Sequence, residues 1–288
     1  MRRSLIAVVP AVALLLAACG SSTSSSSAPA ASGTSASATC SPSSLQTLAP
    51  GKFTVATGTP AFSPWVIDDK PESGKGFESA VTYAVAKKLG YADADVVWMR
   101  TGFDEAIAPG PKKFDVNIQQ FTISEDRKKA VDFSSGYYDL TQAVVTYKGS
   151  PIANAKSLAD LKSAKLGAAV GTTSLDAITA SIQPTTAPKV YNTNDDAVAA
   201  LKAKQIDGLV VDLPTAFFIA FGELDNGVLI GQLPNSADQK EQLGFLLAKG
   251  SPLTQCVTQA VDALRADGTL AKLQDQWLSA SAGAPVLP

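Results

Sequence analysis

The chain has 288 residues, with 24 Lys and Arg against 26 Asp and Glu and not one His. So even a balance offers no basic face, which excludes nucleic acid as a partner. With no His and three Cys in all, the commonest general base is missing and an ordinary metal site is poorly supplied, so no metal and no cofactor are expected.

Arg2 and Arg3 open the chain, and an apolar run from Leu5 to Leu16 follows, broken at Pro10. The run ends in Leu16-Ala17-Ala18-Cys19-Gly20. Charge, a short apolar stretch and small residues at the cut are the parts of a secretory signal. The run is shorter than the roughly 20 residues a spanning helix needs. Its ending resembles the bacterial lipobox, which implies a signal peptide over residues 1–18 and a lipid on Cys19 as the new N-terminus. A plain secretory signal with an incidental Cys is the alternative. Cleavage removes two Arg and no acid, leaving a net charge of about −4. No other stretch has the length and hydropathy of a span, so the lipid is the expected anchor.

Residues 19–44 form the expected tether. From Gly20 to Thr39 nearly every residue is Ser, Ala, Thr, Gly or Pro, which leaves nothing to bury and predicts disorder. As a flexible coil it would reach roughly 25 Å. An O-glycosylated stalk is the other reading of this composition.

Globular composition begins near Lys52. Strands are predicted at 52–56, 96–98, 114–118, 142–147, 165–170 and 208–211. Phe77, Ala80, Val81, Ala84, Val85 and Leu89 stand at helical spacing before Gly90, predicting a helix over 77–89. Further helices are expected at 195–203, 253–264 and 269–278, with Gly268 between the last two. This alternation predicts an α/β fold with mainly parallel sheets.

Cys40 and Cys256 remain after Cys19. In an oxidising compartment an isolated pair is expected to be bridged, clipping the start of the body to a late helix. Two free thiols and a metal site are the alternatives, the second poor without His.

The stretch from Phe114 to Tyr138, FDVNIQQFTISEDRKKAVDFSSGYY, resembles the bacterial extracellular solute-binding proteins of family 3, the polar amino-acid receptors of ABC importers. Other blocks agree in the family's order. They are TPAFSPW from Thr59, GFESAV from Gly76 with Glu78 where Asp is usual, Gly102-Phe-Asp104, GTTS from Gly171, IDGLVVD from Ile206, and Gly268-Thr-Leu with Trp277-Leu278. Together they cover about residues 52–280. The resemblance implies a two-lobed, type II periplasmic-binding-protein-like fold. Lobe one would be 45–138 plus 243–288 and lobe two 142–240, with crossings near Tyr138–Thr141 and Gln242–Gly244. Ligand would sit between lobes that close on it. A monomer is expected, working with an ABC permease and touching the membrane through its lipid alone.

A free amino acid carries a carboxylate and an ammonium, and burying both needs a fixed cation and a fixed anion. Arg127 matches the family's carboxylate-binding Arg, and a guanidinium suits a carboxylate by its fork of donors. Judged locally, it is one of a charged run, Asp126-Arg127-Lys128-Lys129, of the kind that is usually solvated. Asp212 ends an apolar strand and matches the ammonium-binding Asp. It also reads as a helix N-cap before Pro214. By resemblance Thr122 and Thr173 supply donors to the carboxylate, Thr172 belongs to the same ligand-binding set, Gln120 offers its carbonyl to the ammonium, and Thr59, Phe62 and Phe103 line the side-chain end. In relatives that take basic or amide side chains, charged or polar readers stand where this chain has Thr59, Ala169 and Val211. A buried ligand charge without a partner costs several kcal/mol, so a neutral side chain is expected. An enzyme on the same fold, since some relatives are dehydratases, and a sensory lipoprotein without an importer are the competing functions.

Overall fold

The computed structural model describes residues 40–234, 241–281 and 283–288. The signal peptide, Cys19 and the tether up to residue 39 lie outside the described residues. The body opens at Cys40, bonded to Cys256 with the two Cα atoms 5.5 Å apart.

The chain first builds β1 (Phe53–Thr57), α1 (Phe77–Lys88), β2 (Val96–Arg100), α2 (Phe103–Ile107), β3 (Val116–Asn117), α3 (Glu125–Lys128) and β4 (Val131–Leu140). It then crosses into β5 (Gln142–Tyr147), β6 (Leu166–Ala169), α4 (Thr173–Ala177), β7 (Lys189–Tyr191), α5 (Asn194–Lys202), β8 (Gly208–Asp212), α6 (Leu213–Phe218) and β9 (Gly227–Gln232). It returns with β10 (Glu241–Ala248), α7 (Thr254–Ala266) and α8 (Thr269–Leu278). Two five-stranded sheets result, ordered β2-β1-β3-β10-β4 and β7-β6-β8-β5-β9. Each is the centre of one lobe, with apolar clusters on both faces.

The expectation of mainly parallel sheets is corrected. Every antiparallel strand pair among the described residues involves β5 or β10, against β8, β9, β3 and β4. The remaining pairs, β1 with β2 and β3 and β6 with β7 and β8, are parallel. The reason is topological. A strand reached through a helix returns parallel, whereas β5 enters directly from β4 of the other lobe and β10 returns to lobe one after β9.

Two lobe boundaries also move. Glu241 already pairs with Leu140 of β4, so the second crossing precedes the expected Gln242–Gly244. The end of the chain does not stay in lobe one. Pro285 O accepts from Gln232 N at 2.7 Å, Leu287 N donates to Gln232 O at 2.9 Å, and Leu158 N donates to Pro288 O at 3.0 Å. Leu287 is buried among Leu161, Ile230 and Leu233. A side chain at Gly231 would meet Pro285 O at 2.6 Å, so glycine there admits the tail.

α1 covers one face of the first sheet with Phe77, Val81 and Val85, and Gly90 beyond its end has φ +88°, a left-handed stop that suits glycine. The aromatic residues Trp65, Phe77, Tyr137 and Tyr138 pack edge to face or tilted beneath the crossing. Trp65 Nε1 donates to Thr215 Oγ1 of lobe two at 2.8 Å, a buried bond between the lobes.

Candidate ligand-binding cleft

All nine candidate ligand residues line one cavity of about 320 Å³ between the sheets. Their supports differ.

Arg127 is 9% exposed and no part of a solvated face. The charged run splits: Lys128 and Lys129 pair with Glu125 and Asp126 at 2.7 and 2.6 Å in solvent, while Arg127 turns inward. Ser124 caps α3 by accepting from Arg127 N, which sets the turn. Arg127 Nη1 donates to Thr122 O at 2.8 Å and Nη2 to Gly171 O of the other lobe at 3.0 Å. Its guanidinium carbon stands 5.4 Å from the Phe103 ring centre, and that ring stacks on Phe121 at 4.7 Å. Burial lowers its basicity, against the pull of Asp212, Asp176 and Glu241, yet a guanidinium stays charged.

Thr122 and Thr173 share a hydrogen bond at 3.1 Å across the cleft. Thr172 is committed locally: its hydroxyl donates to Ala169 O at 2.8 Å and accepts from Leu175 N at 3.3 Å, capping α4.

Asp212 stands at the N-cap position of α6 but makes no side-chain capping bond. A cap accepts from the second or third backbone N–H of the helix, and the second helical residue here is Pro214, which has none. The carboxylate instead accepts from Gln142 Nε2 at 3.3 Å. Burial first, then the charge of Glu241, pushes its pKa up to about 7, against Gln142 and Arg127.

Gln120 has φ +49°. Its backbone N–H donates to Glu78 Oε1 at 2.8 Å and its side-chain amide donates to Glu78 Oε2. One N–H of the side-chain amide is thus turned to Glu78, and the side-chain carbonyl oxygen, which takes no part in that pair, can accept from a ligand donor. Glu78 is wholly buried, takes a further bond from the Tyr137 hydroxyl, and is raised to about 7 by burial.

The first-strand loop is braced by Arg100, which donates to Gly58 O at 2.7 Å and pairs with Asp69 at 2.5 Å. Asp69 in turn accepts from Ala61 N at 2.8 Å. Thr59 is exposed on the cavity wall, and Phe62 lines it while packing partly into the core of lobe one.

Sequence reasoning missed Gln119 on the cavity wall and Gln142 behind it. Gln142 is paired with Asp212 by strand register, a fact of tertiary structure with no local signal.

Residues 54–280 match the model of the bacterial extracellular solute-binding proteins, family 3. The chain belongs to this family. It is 28% identical over 225 residues to the L-arginine-binding protein of Pseudomonas aeruginosa, covering 76% of this chain and 85% of that protein. It is 29% identical to the L-cystine-binding protein TcyJ of Escherichia coli strain K12, covering 71% and 74%. Among solved structures, an ancestral arginine-binding protein bound to arginine superimposes with a TM-score of 0.65 at 31% identity, covering 79% of this chain and 98% of that one. The fold is thereby the two-lobed type II arrangement of these proteins.

Proposed function

We propose that this family member is a lipid-anchored receptor, monomeric and held at the outer face of the cell membrane through Cys19. In this reading it binds one free amino acid with a neutral side chain and hands it to an ABC permease. The observation that carries the reading is the pairing of a buried guanidinium, Arg127, with a carboxylate on the opposite lobe, Asp212, on the walls of one cavity. An α-amino acid is a small solute that presents both counter-charges on one carbon. The names of the arginine- and cystine-binding relatives support an amino acid as the ligand.

The neutral side chain follows from what remains of the wall. Thr57, Thr101, Gln119, Ala169 and Val211 carry no charge, and the acids that line the cavity elsewhere, Asp104 and Glu105, are exposed. Arg100 nearby is already neutralised by Asp69. A cationic side chain in this end would lose its water without a buried partner.

Calorimetric titration with single amino acids tests the reading. A neutral amino acid should bind near micromolar, about −8 kcal/mol, and be recovered unaltered, while Arg127→Met loses at least a hundredfold. Micromolar lysine or arginine with neutral amino acids silent overturns the specificity. Cys19→Ser should release the protein from membranes into the soluble fraction.

A further inference from the structure

Behind Asp212, Gln142 and Glu241 stand outside the cavity lining and join Thr173 and Ser174 in a polar cluster that the ligand groups do not fully account for. Gln142, 3% exposed, opens β5 opposite Asp212. Its Nε2 lies 3.3 Å from Thr173 Oγ1, 3.3 Å from Asp212 Oδ1 and 3.0 Å from Glu241 Oε2. Its Oε1 accepts from Ser174 Oγ at 2.7 Å, which fixes the amide's orientation. Thr173 Oγ1 also reaches Glu241 Oε2 at 3.4 Å. One amide nitrogen with two N–H bonds thus serves three oxygens. The cluster is short of donors and rich in negative charge. Glu241 comes from lobe one's returning strand, so it ties the ligand-facing groups of lobe two to the crossing.

We propose that Glu241 is a positioning and specificity-determining residue of the ammonium subsite: through Gln142 it orients Thr173 and Asp212, and its charge makes the subsite select a protonated amine over a neutral hydroxyl or amide. The inference rests on the reading of Asp212 as the ammonium anchor. A ligand ammonium brings three N–H donors and a full charge, which is what the cluster lacks. A hydroxyl brings one donor and none of the charge. The ionisable groups facing Asp212 are Glu241, Glu78, Arg127, Tyr137 and Tyr138. Carboxylates outnumber the one guanidinium among them, and the upward shift of Asp212 by burial and Glu241 agrees with this balance.

The experiment has a ligand-free arm and a binding arm. In the apoprotein, the Asp212 carboxyl is titrated by carbon-13 NMR in the parent, Glu241→Gln and Glu241→Asp. Removing a like charge should lower the Asp212 midpoint by about one pH unit in Glu241→Gln, and Glu241→Asp should keep it near the parent's. In the binding arm, each of the twenty L-amino acids and L-cystine is tested singly, and the strongest is followed from pH 5 to 9. Glu241→Gln should bind it about tenfold more weakly at pH 8, with the acid limb of the profile moved downward. An unchanged midpoint, or equal weakening at every pH, overturns the proposal, because a merely structural role moves affinity without moving the profile. If Glu241→Gln does not fold, Glu241→Asp decides: affinity equal to the parent's overturns the positioning role. If Asp212→Asn keeps full amino-acid affinity, the ammonium reading fails instead, and the apoprotein titration still reports whether Glu241 and Asp212 are coupled.

Discussion

The two lobes are built alike around five-stranded sheets but are fastened differently. Lobe one is clipped covalently, its first described residue Cys40 bonded to Cys256 on α7. Lobe two has no such bond among the described residues, and its sheet is finished by a tail that belongs to the end of the chain. A covalent clip acts on the unfolded chain, whereas a tail acts by burial in the folded one. The bridge closes a loop of 216 residues, for which chain entropy gives about 5 kcal/mol at most. Replacing both Cys with Ser should therefore lower the midpoint of denaturant unfolding more than the loss of one buried leucine side chain does. Unfolding of equal stability with and without reductant would contradict this. Leu287→Ala should cost about 3 kcal/mol, since the side chain is 2% exposed within lobe two's core. Hydrogen exchange should locate that loss in β9 and its neighbours, with lobe one spared. Uniform loosening of both lobes would mean that the tail does not serve lobe two in particular.

What the sequence disclosed divides along similar lines. Long or strongly apolar elements were legible: β5 and α8 run over the predicted residues, and α1 stops one residue early. The strand expected at 114–118 shrinks to Val116–Asn117. Asp115 still donates its backbone N–H to Thr54 O at 2.9 Å, and its carboxylate accepts from Leu48 N and Thr54 N at 2.8 and 2.7 Å, bracing the segment before β1. Helices such as α2, α3 and α4 span five residues or fewer, too short for a 3.6-residue period to register. Periodicity marks burial and says nothing of strand direction, so the antiparallel entry of β5 and β10 leaves no signature in the sequence. In the cleft, local sequence could not separate Arg127 from Lys128; only the family pattern did. Gln142 and Glu241 had no signal at all, being brought to Asp212 by strand register and by the crossing.

The same contrast reappears in the cleft and gives the last test. Lobe one offers a charge that does not titrate, Arg127, held by the backbone carbonyls of Thr122 and Gly171. Lobe two offers one that does, Asp212, held by a side-chain amide and crowded by acids. Asp212 and Glu78 both have folded pKa values of about 7, above the ordinary carboxylate range. The folded apoprotein therefore binds more protons than the unfolded chain between about pH 4 and 7, and its stability falls as pH rises through that window. Ligand binding has the opposite sign, because an ammonium needs Asp212 ionised. Affinity should drop about tenfold for each pH unit below 7. Arg127→Met should weaken binding at every pH and leave that slope in place. Asp212→Asn should remove the slope, and its apoprotein should melt a few degrees above the parent at pH 8, with little difference at pH 5. Thermal melts and titrations at those two pH values check both signs together. A parent apoprotein that melts higher at pH 8 than at pH 5, with Asp212→Asn unchanged, would show that the buried carboxyls are not where the pH dependence of this cleft resides.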